Sequence, residues 1–372
     1  MIIKCPQCGK RNRIYSRKNT KNVYRCGRPS CRNILFPTAG VSTSKVFINY
    51  DPNTYQILSE QGNKIERPTL FDPALIPQNH LEGAYRLGDP IFQSPEIRSR
   101  WLNIRQQVID YLLQTINSSP WKDNFVLRGS LLLKPWLGDM AREPGDIDWV
   151  FRPHNISIYD PFAEEVFNGL IQRVLDNPQV GNAVIDVDKI SVTGIWAYQR
   201  ASGRRIIFPW KAEGIPPGDL QMDVVFSEEL FAEPIQTYIP SSVGESTLVW
   251  AASKELSLAW KLLWLETDRY PQGKDLYDAT LLAEQTHLPF DLLCQVLQSS
   301  ADWNSQVLHK SNFSWRSGFP LIMQAKYLDW DNFKKEYPWV EGEAKDWEDR
   351  LSLALLPTFA NLDETQARLK KI

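Results

Sequence analysis

Three short segments carry residues whose types and order suit phosphoryl chemistry: Gly129-Ser130, Asp146-Ile147-Asp148, and Asp223 within the apolar run Leu220–Phe226. Transfer of a nucleotidyl group uses two cations to bridge the phosphates and activate the attacking hydroxyl, and carboxylates are the hard oxygen ligands that hold Mg2+. On a strand, Asp146 and Asp148 emerge on one face and can share those ions. Asp223 sits in a strand-like run where a charge requires a partner, and a metal supplies one. Glycine lets the backbone approach a triphosphate where a side chain would obstruct it, and serine adds a hydroxyl donor. Gly-Ser alone says nothing, but here it follows the apolar run Phe125-Val126-Leu127 and precedes the Asp pair.

A second group lies further along. Leu256, Trp260, Leu263 and Trp264 form one apolar face of a helix, and Leu258, Leu262 and Leu265 populate the other side, so the helix is expected to be buried nearly all round. Lys261 on that helix then points into protein or a cleft. It serves as a cation for a triphosphate or snorkels to solvent. Asp275 and Asp278 are one helical turn apart and share a face. They suit a proton acceptor or an anchor for the lysine, and equally the acidic first turn that a helix dipole favours. The pair Asp186-Val187-Asp188 lacks a preceding Gly-Ser turn and reads as a polar strand end. None of the four histidines has metal or triad spacing.

Four of the five cysteines occur as Cys5-x-x-Cys8 and Cys26 with Cys31, the knuckle spacing of a closed tetrahedral zinc site. Four thiolates leave no position for a substrate water, so this Zn2+ is structural. Disulfides are disfavoured because the N-terminus has no signal-peptide apolar stretch. Cys294 reads as an ordinary buried residue. No Asp or Glu precedes Asp51, whereas eleven of the 42 Lys and Arg do, leaving 31 of those cations against all 44 acidic residues in the remainder. A net charge of −2 hides this split. Such a basic end fits a polyanion, nucleic acid above all. With 43% hydrophobic residues and no apolar run long enough to span a bilayer, the expectation is a folded, soluble, cytoplasmic protein without membrane association.

The elements that position these residues follow from local pattern. Residues 1–36 read as a zinc ribbon and 37–94 as a connecting region with one small hairpin. Residues 95–240 read as the catalytic core, and 241–372 as a helical C-terminal domain. Ser94-Pro95 starts a helix that places Trp101, Ile104, Val108, Tyr111, Leu112 and Thr115 on or near one face. Phe125–Leu127 is the first core strand, Leu131–Leu133 begins a helix, and Ile147–Phe151 is a strand followed by a helix from Asp160 to Leu175. Further strands are expected at 184–187, 190–198, 204–208 and 220–226, with Ala201-Ser202-Gly203 as a hairpin turn. After Pro240 the pattern is largely helical.

These motifs together resemble the nucleotidyltransferase superfamily with the polymerase-beta-like fold and, within it, the AbiEii/AbiGii toxin family. The matching segments are Leu127–Leu133, Gly145–Asp148, Leu220–Phe226, Ser253–Leu262 and Lys274–Asp278, so the resemblance covers roughly residues 95–360 and leaves the ribbon as an addition. The separation of Ser130 and Asp146 by sixteen positions suits this branch, whereas Pro144-Gly145 departs from the polar residue often found there. The resemblance implies an α+β fold with a mixed sheet flanked by helices. It implies a Mg2+-dependent enzyme that transfers NMP from an NTP. Asp146, Asp148 and Asp223 would be metal ligands, Gly129, Ser130 and Lys261 would bind the triphosphate, and Asp275 and Asp278 would be functional. It also implies a toxin or phage-defence role, a cognate antitoxin, and an RNA acceptor such as a tRNA 3′ end. Nucleotidylation of a protein or small-molecule hydroxyl is the alternative, as is a non-catalytic nucleic-acid-binding protein of the same fold.

Overall fold

The computed structural model describes residues 67–75, 85–197, 201–268, 271–301, 303–304 and 328–360, with the backbone of short strands nearer the N-terminus. Those strands form antiparallel pairs: β1 (Ile2–Lys4) with β2 (Arg11–Arg13), β3 (Tyr24–Arg25) with β4 (Ile34–Leu35), and β5 (Asn49–Asp51) with β6 (Gln56–Leu58). The fourth such pair is β7 (Thr69–Phe71) with β8 (Tyr85–Leu87). Cys5 and Cys8 fall between β1 and β2 in sequence, and Cys26 and Cys31 between β3 and β4. The expected zinc ligands themselves lie outside the described residues.

From Pro95 the order is α1 (Pro95–Asn117), β9 (Phe125–Arg128), α2 (Leu133–Leu137), β10 (Asp146–Phe151), α3 (Pro161–Asp176), β11 (Gln179–Val180) and β12 (Ala183–Ile185). Then come β13 (Ser191–Ala197), β14 (Ala201–Ala212), β15 (Gly218–Val225), β16 (Ile235–Ile239) and β17 (Thr247–Ala251). Helices α4 (Lys254–Thr267), α5 (Gly273–Gln285), α6 (Phe290–Gln298), α7 (Trp330–Glu336), α8 (Ala344–Ala354) and α9 (Leu356–Phe359) follow. No helix among the described residues is long and apolar enough to cross a membrane.

The chain divides into two compact units. The first comprises Met1–Thr115, Ile156–Ala197 and Ser202–Asp223. In it β12 pairs antiparallel with β11 and β14, and β14 also neighbours β13 and β15. Ser94 Oγ accepts from Ile97 N at 3.3 Å and caps α1, and Asp160 accepts from Phe162 N at 2.8 Å and caps α3. The α1 face is buried as its periodicity requires, through Trp101, Ile104, Val108 and Leu112. Tyr111 is only half-buried, because its hydroxyl turns to Asn177 O at 2.6 Å. Alternation along β14 buries Ile206, Phe208 and Trp210, and Trp210 packs on Trp101 at 5.3 Å between ring centroids. Gly218 is required there, since a Cβ would collide with both indoles.

The second unit comprises Ile116–Asn155, Tyr198–Ala201 and Val224–Ile372. Its strands run β10-β9-β17-β16, and the sheet is mixed: β9 is antiparallel to β10 and parallel to β17. Phe125 packs edge-on against Trp149 and Phe151 at 5.6 and 5.4 Å. Helix α4 is buried from Leu256 to Thr267, as the all-round apolar pattern requires.

Three local expectations are corrected. Ala201-Ser202-Gly203 is not a turn but the start of the long strand β14. The region after Pro240 begins with a strand, β17, paired with a β16 that the sequence reading lacked. Its Ala251 sits opposite Leu127, and Ala252 N donates to Leu127 O at 2.9 Å. The pairing partner therefore lies far away in sequence, where local pattern carries no signal. Asp186 and Asp188 do not share a strand: Asp186 follows β12, and Val187–Lys189 is a 3-10 turn.

Candidate active site

Strand β9 is buried throughout and ends at Arg128, so the chain must turn sharply at Gly129. Gly129 has φ of 80°, a conformation that side-chain-bearing residues rarely adopt. A Cβ at this position would collide with Asp148 Oδ2 and lie 3.1 Å from Asp148 Cβ. The corner therefore stays open only as glycine, with the Asp148 carboxylate packed directly over it. Ser130 follows in a 3-10 turn (Ser130–Leu132) that leads into α2, and its buried hydroxyl has no hydrogen-bond partner among the described residues. A buried donor without a partner is rare in folded proteins.

Asp146 and Asp148 lie on β10 with burial alternating as half-buried, buried, half-buried from Asp146 to Asp148, so both carboxylates share the less buried face. Asp148 stands opposite Arg128 in the β9–β10 register. The Arg128 guanidinium pairs with Glu228 at 2.6 Å and lies 5.6 and 5.5 Å from the rings of Trp260 and Trp264 on α4.

Lys261 does not snorkel to solvent. It is buried, and Nζ contacts both Asp275 Oδ1 and Asp278 Oδ2 at 2.8 Å. Arg142 closes the group: its Nε donates to both Asp278 oxygens at 3.1 and 3.2 Å, and Nη2 donates to Oδ2 at 2.9 Å. Two buried cations thus meet two buried anions. Burial pushes the Asp278 carboxyl up, but Arg142 and then Lys261 outweigh it and hold it below the ordinary value. Burial likewise draws Lys261 down, and Asp275 and Asp278 reverse that to a net upward shift. Arg142 is held well above its ordinary value by the same balance, with Asp146 contributing to the field that keeps it charged. Tyr277, between the two acids, is pushed up to about 12 by burial and then by Asp278, and its hydroxyl donates to Met140 O at 2.6 Å.

In the first unit, Asp223 accepts from Arg205 Nε and Nη2, both at 2.8 Å, and from Gln221 Nε2 at 3.2 Å. The partner that its embedded charge requires is therefore supplied at least in part by a guanidinium. Among the described residues, no group of three or more His, Cys, Asp and Glu side chains is arranged to hold a metal ion. The Asp146–Asp148 pair nevertheless fits a hard divalent cation: two carboxylates on one half-buried strand face, beside a corner that a single Cβ would fill.

The structure thus brings together Gly129, Ser130 and Asp148, and separately Lys261, Asp275 and Asp278. Arg142 and Arg205 were missed by sequence reasoning. A signal for Arg142 existed: two acids one turn apart on one helix face, once buried, require two cations, and Lys261 is only one. Cys294 is half-buried rather than buried, and burial followed by Asp291 pushes its thiol up to about 12.

Eight solved chains are similar to this one, two of them as follows. MenT4, a nucleotidyltransferase toxin from Mycobacterium tuberculosis H37Rv, is 17% identical with a TM-score of 0.47, covering 72% of this chain and 86% of that one. A protein of H. pylori assigned to the nucleotidyltransferases is 14% identical with a TM-score of 0.41, covering 73% of this chain and 98% of that one. Comparison with curated proteins finds no match. A family model described as nucleotidyl transferase AbiEii toxin, type IV toxin–antitoxin system, matches residues 111–352, which is well over half of the chain and spans β9, β10, α4 and α5. With that match added to the Gly-Ser corner, the paired aspartates and the buried lysine–aspartate group, the chain belongs to the AbiEii family of nucleotidyltransferase toxins.

Proposed function

We propose that this nucleotidyltransferase moves NMP from an NTP to a hydroxyl of an RNA acceptor, with a tRNA 3′ end as the intended acceptor, and releases pyrophosphate. The observation that carries the reading is the corner at Gly129, kept open over Asp148 and followed by a buried serine hydroxyl without a partner among the described residues. A triphosphate oxygen satisfies that hydroxyl, and the absent Cβ lets the phosphate approach the backbone. Asp146 and Asp148, with Asp223 as the third carboxylate that the family resemblance supplies, are the residues that would hold Mg2+. Bound there, a divalent cation would supply positive charge that offsets the phosphates and favours ionisation of the attacking hydroxyl. In this scheme Asp223 would also assist removal of the hydroxyl proton. Lys261 adds positive charge for the triphosphate, while Asp275 and Asp278 fix its position and Arg142 fixes that of Asp278.

The basic, acid-free stretch before Asp51 supports an RNA acceptor through phosphate contacts. Its four paired cysteines are assigned to a structural Zn2+. In the cell the activity is held in check by a cognate antitoxin, as the type IV family implies.

The test is incubation of the purified protein with Mg2+, each α-phosphate-labelled NTP and total RNA, beside Asp146→Asn. Label on tRNA-sized RNA that disappears with the variant supports the proposal. Label on protein moves the acceptor to a polypeptide hydroxyl. Absence of transfer with every NTP and acceptor overturns the proposal.

A further inference from the structure

Within the second unit, α7 ends at Glu336 and leads into the turn Tyr337-Pro338-Trp339-Val340, closed by Val340 N donating to Tyr337 O at 3.0 Å. Tyr337 N donates to Phe333 O at 2.8 Å, so the turn grows directly from the last helical turn, and Pro338 at its second position pre-sets φ. Val340 is buried, whereas Trp339 beside it is 53% exposed. Among the described tryptophans only Trp196 is otherwise exposed. The Trp339 ring stands nearly perpendicular to those of Tyr277 and Tyr337, at 5.9 and 6.1 Å between centroids. Both tyrosines border the buried ion cluster. Tyr277 precedes Asp278 on α5 and bonds Met140 O. Burial pushes the Tyr337 hydroxyl up to about 12, and the neighbouring Arg142 draws it the other way.

We propose that Trp339 is the platform on which the nucleobase of the incoming NTP stacks. The inference rests on the reading of this site as one that takes an NTP. Leaving a tryptophan half in water forfeits apolar burial, and a ligand that covers it recovers that term. The side chains beside it say which ligand. Arg142 and Lys261 hold Asp278, the neighbour of Tyr277, and Lys261 is the cation assigned to the triphosphate. An NTP anchored there by its phosphates has one flat aromatic moiety to lay on an indole, its base. The platform is ordered in advance: Pro338, the buried Val340 and the bond from Trp347 Nε1 to Glu341 O at 2.8 Å fix the connection between α7 and α8, so little freedom is lost on stacking. Every base has a π-face, so the subsite favours a nucleoside triphosphate over bare triphosphate and chooses little among bases.

The experiment is equilibrium dialysis of each NTP, and of inorganic tripolyphosphate, against the full-length protein with Mg2+ and no RNA, beside thermal melting of each variant. Trp339→Ala is expected to weaken NTP binding about ten-fold and to leave tripolyphosphate binding unchanged. Trp339→Phe keeps an aromatic face and is expected to recover most of the loss. Should Trp339→Ala not fold, Trp339→Leu keeps apolar bulk without a π-face and carries the test with the same expected loss. Unchanged NTP affinity in the folded Trp339→Ala variant overturns the subsite. So does an equal loss for NTP and tripolyphosphate, which would report a general disturbance around Arg142. If the variant binds NTP as the wild type does but needs more RNA for half-maximal transfer, the platform serves the acceptor's base and the NTP assignment is overturned. If no NTP binds the wild type, the underlying reading has failed and the subsite falls with it.

Discussion

Arg142 grips Asp278 with Nε and Nη2 at 2.9 to 3.2 Å, while the other side of that carboxylate meets Lys261 at 2.8 Å. Removing one member leaves a buried charge without its counterion, which costs about 3–5 kcal/mol in comparable pairs. Arg142→Gln and Asp278→Asn should each lower unfolding free energy by that order. Equilibrium urea unfolding measures it, and a change within about 0.5 kcal/mol would show that the cluster relaxes to solvent.

The same group sets a pH dependence with two edges. Asp278 titrates below its ordinary 3.8 in the folded state, so its contribution is complete above 3.8 and is lost as pH falls through the lower folded value. Lys261 titrates above its ordinary 10.5, so its contribution is complete below 10.5 and is lost as pH rises through the higher folded value. The two residues should therefore add no slope to stability between about pH 5 and 9. Melting curves of the wild type and Asp278→Asn across pH 3 to 11 check this, since the acid-side difference must shrink.

Gly129→Ala combines a positive φ with a collision against Asp148. It should reduce kcat/KM by at least about 100-fold, because the displaced carboxylate lies where the chemistry is assigned. Gly145→Ala is the matched control. Among the described residues nothing lies within 4 Å of a Cβ there, although the next residue is Asp146. Steady-state kinetics on both variants tests whether the corner or mere glycine content matters.

Ser130→Ala removes a buried hydroxyl that no group among the described residues satisfies. Stability should hold within about 1 kcal/mol or rise, whereas a lost hydrogen bond to a charged phosphate costs about 1.5–3 kcal/mol of NTP binding. Parallel melting and NTP binding measurements must diverge. A joint fall would mean that the hydroxyl supports the fold instead.

Cys294, pushed up to about 12, holds almost no thiolate at pH 8. Mass spectrometry after brief iodoacetamide treatment of the native protein should find the Cys294 peptide unmodified. Rapid labelling would show that α6 opens.

Local chemistry made much of this molecule readable from sequence. The Ser94-Pro95 cap, the apolar strand ending at Gly129, the Asp-x-Asp alternation and the all-round apolar helix about Lys261 each depend on neighbours within one turn or one strand, and the structure forms each of them. Other features depend on residues far apart in the chain. The parallel pairing of Leu127 with Ala251, the closure of the Lys261 group by Arg142, and the sharing of Arg205 between Asp72 and Asp223 join positions separated by about a hundred residues or more, apart from Arg205 and Asp223. Sequence required that each buried charge find a counterion, because an isolated one is too costly to bury. Which counterion it found was decided by the tertiary structure, because only packing brings distant side chains within hydrogen-bonding range.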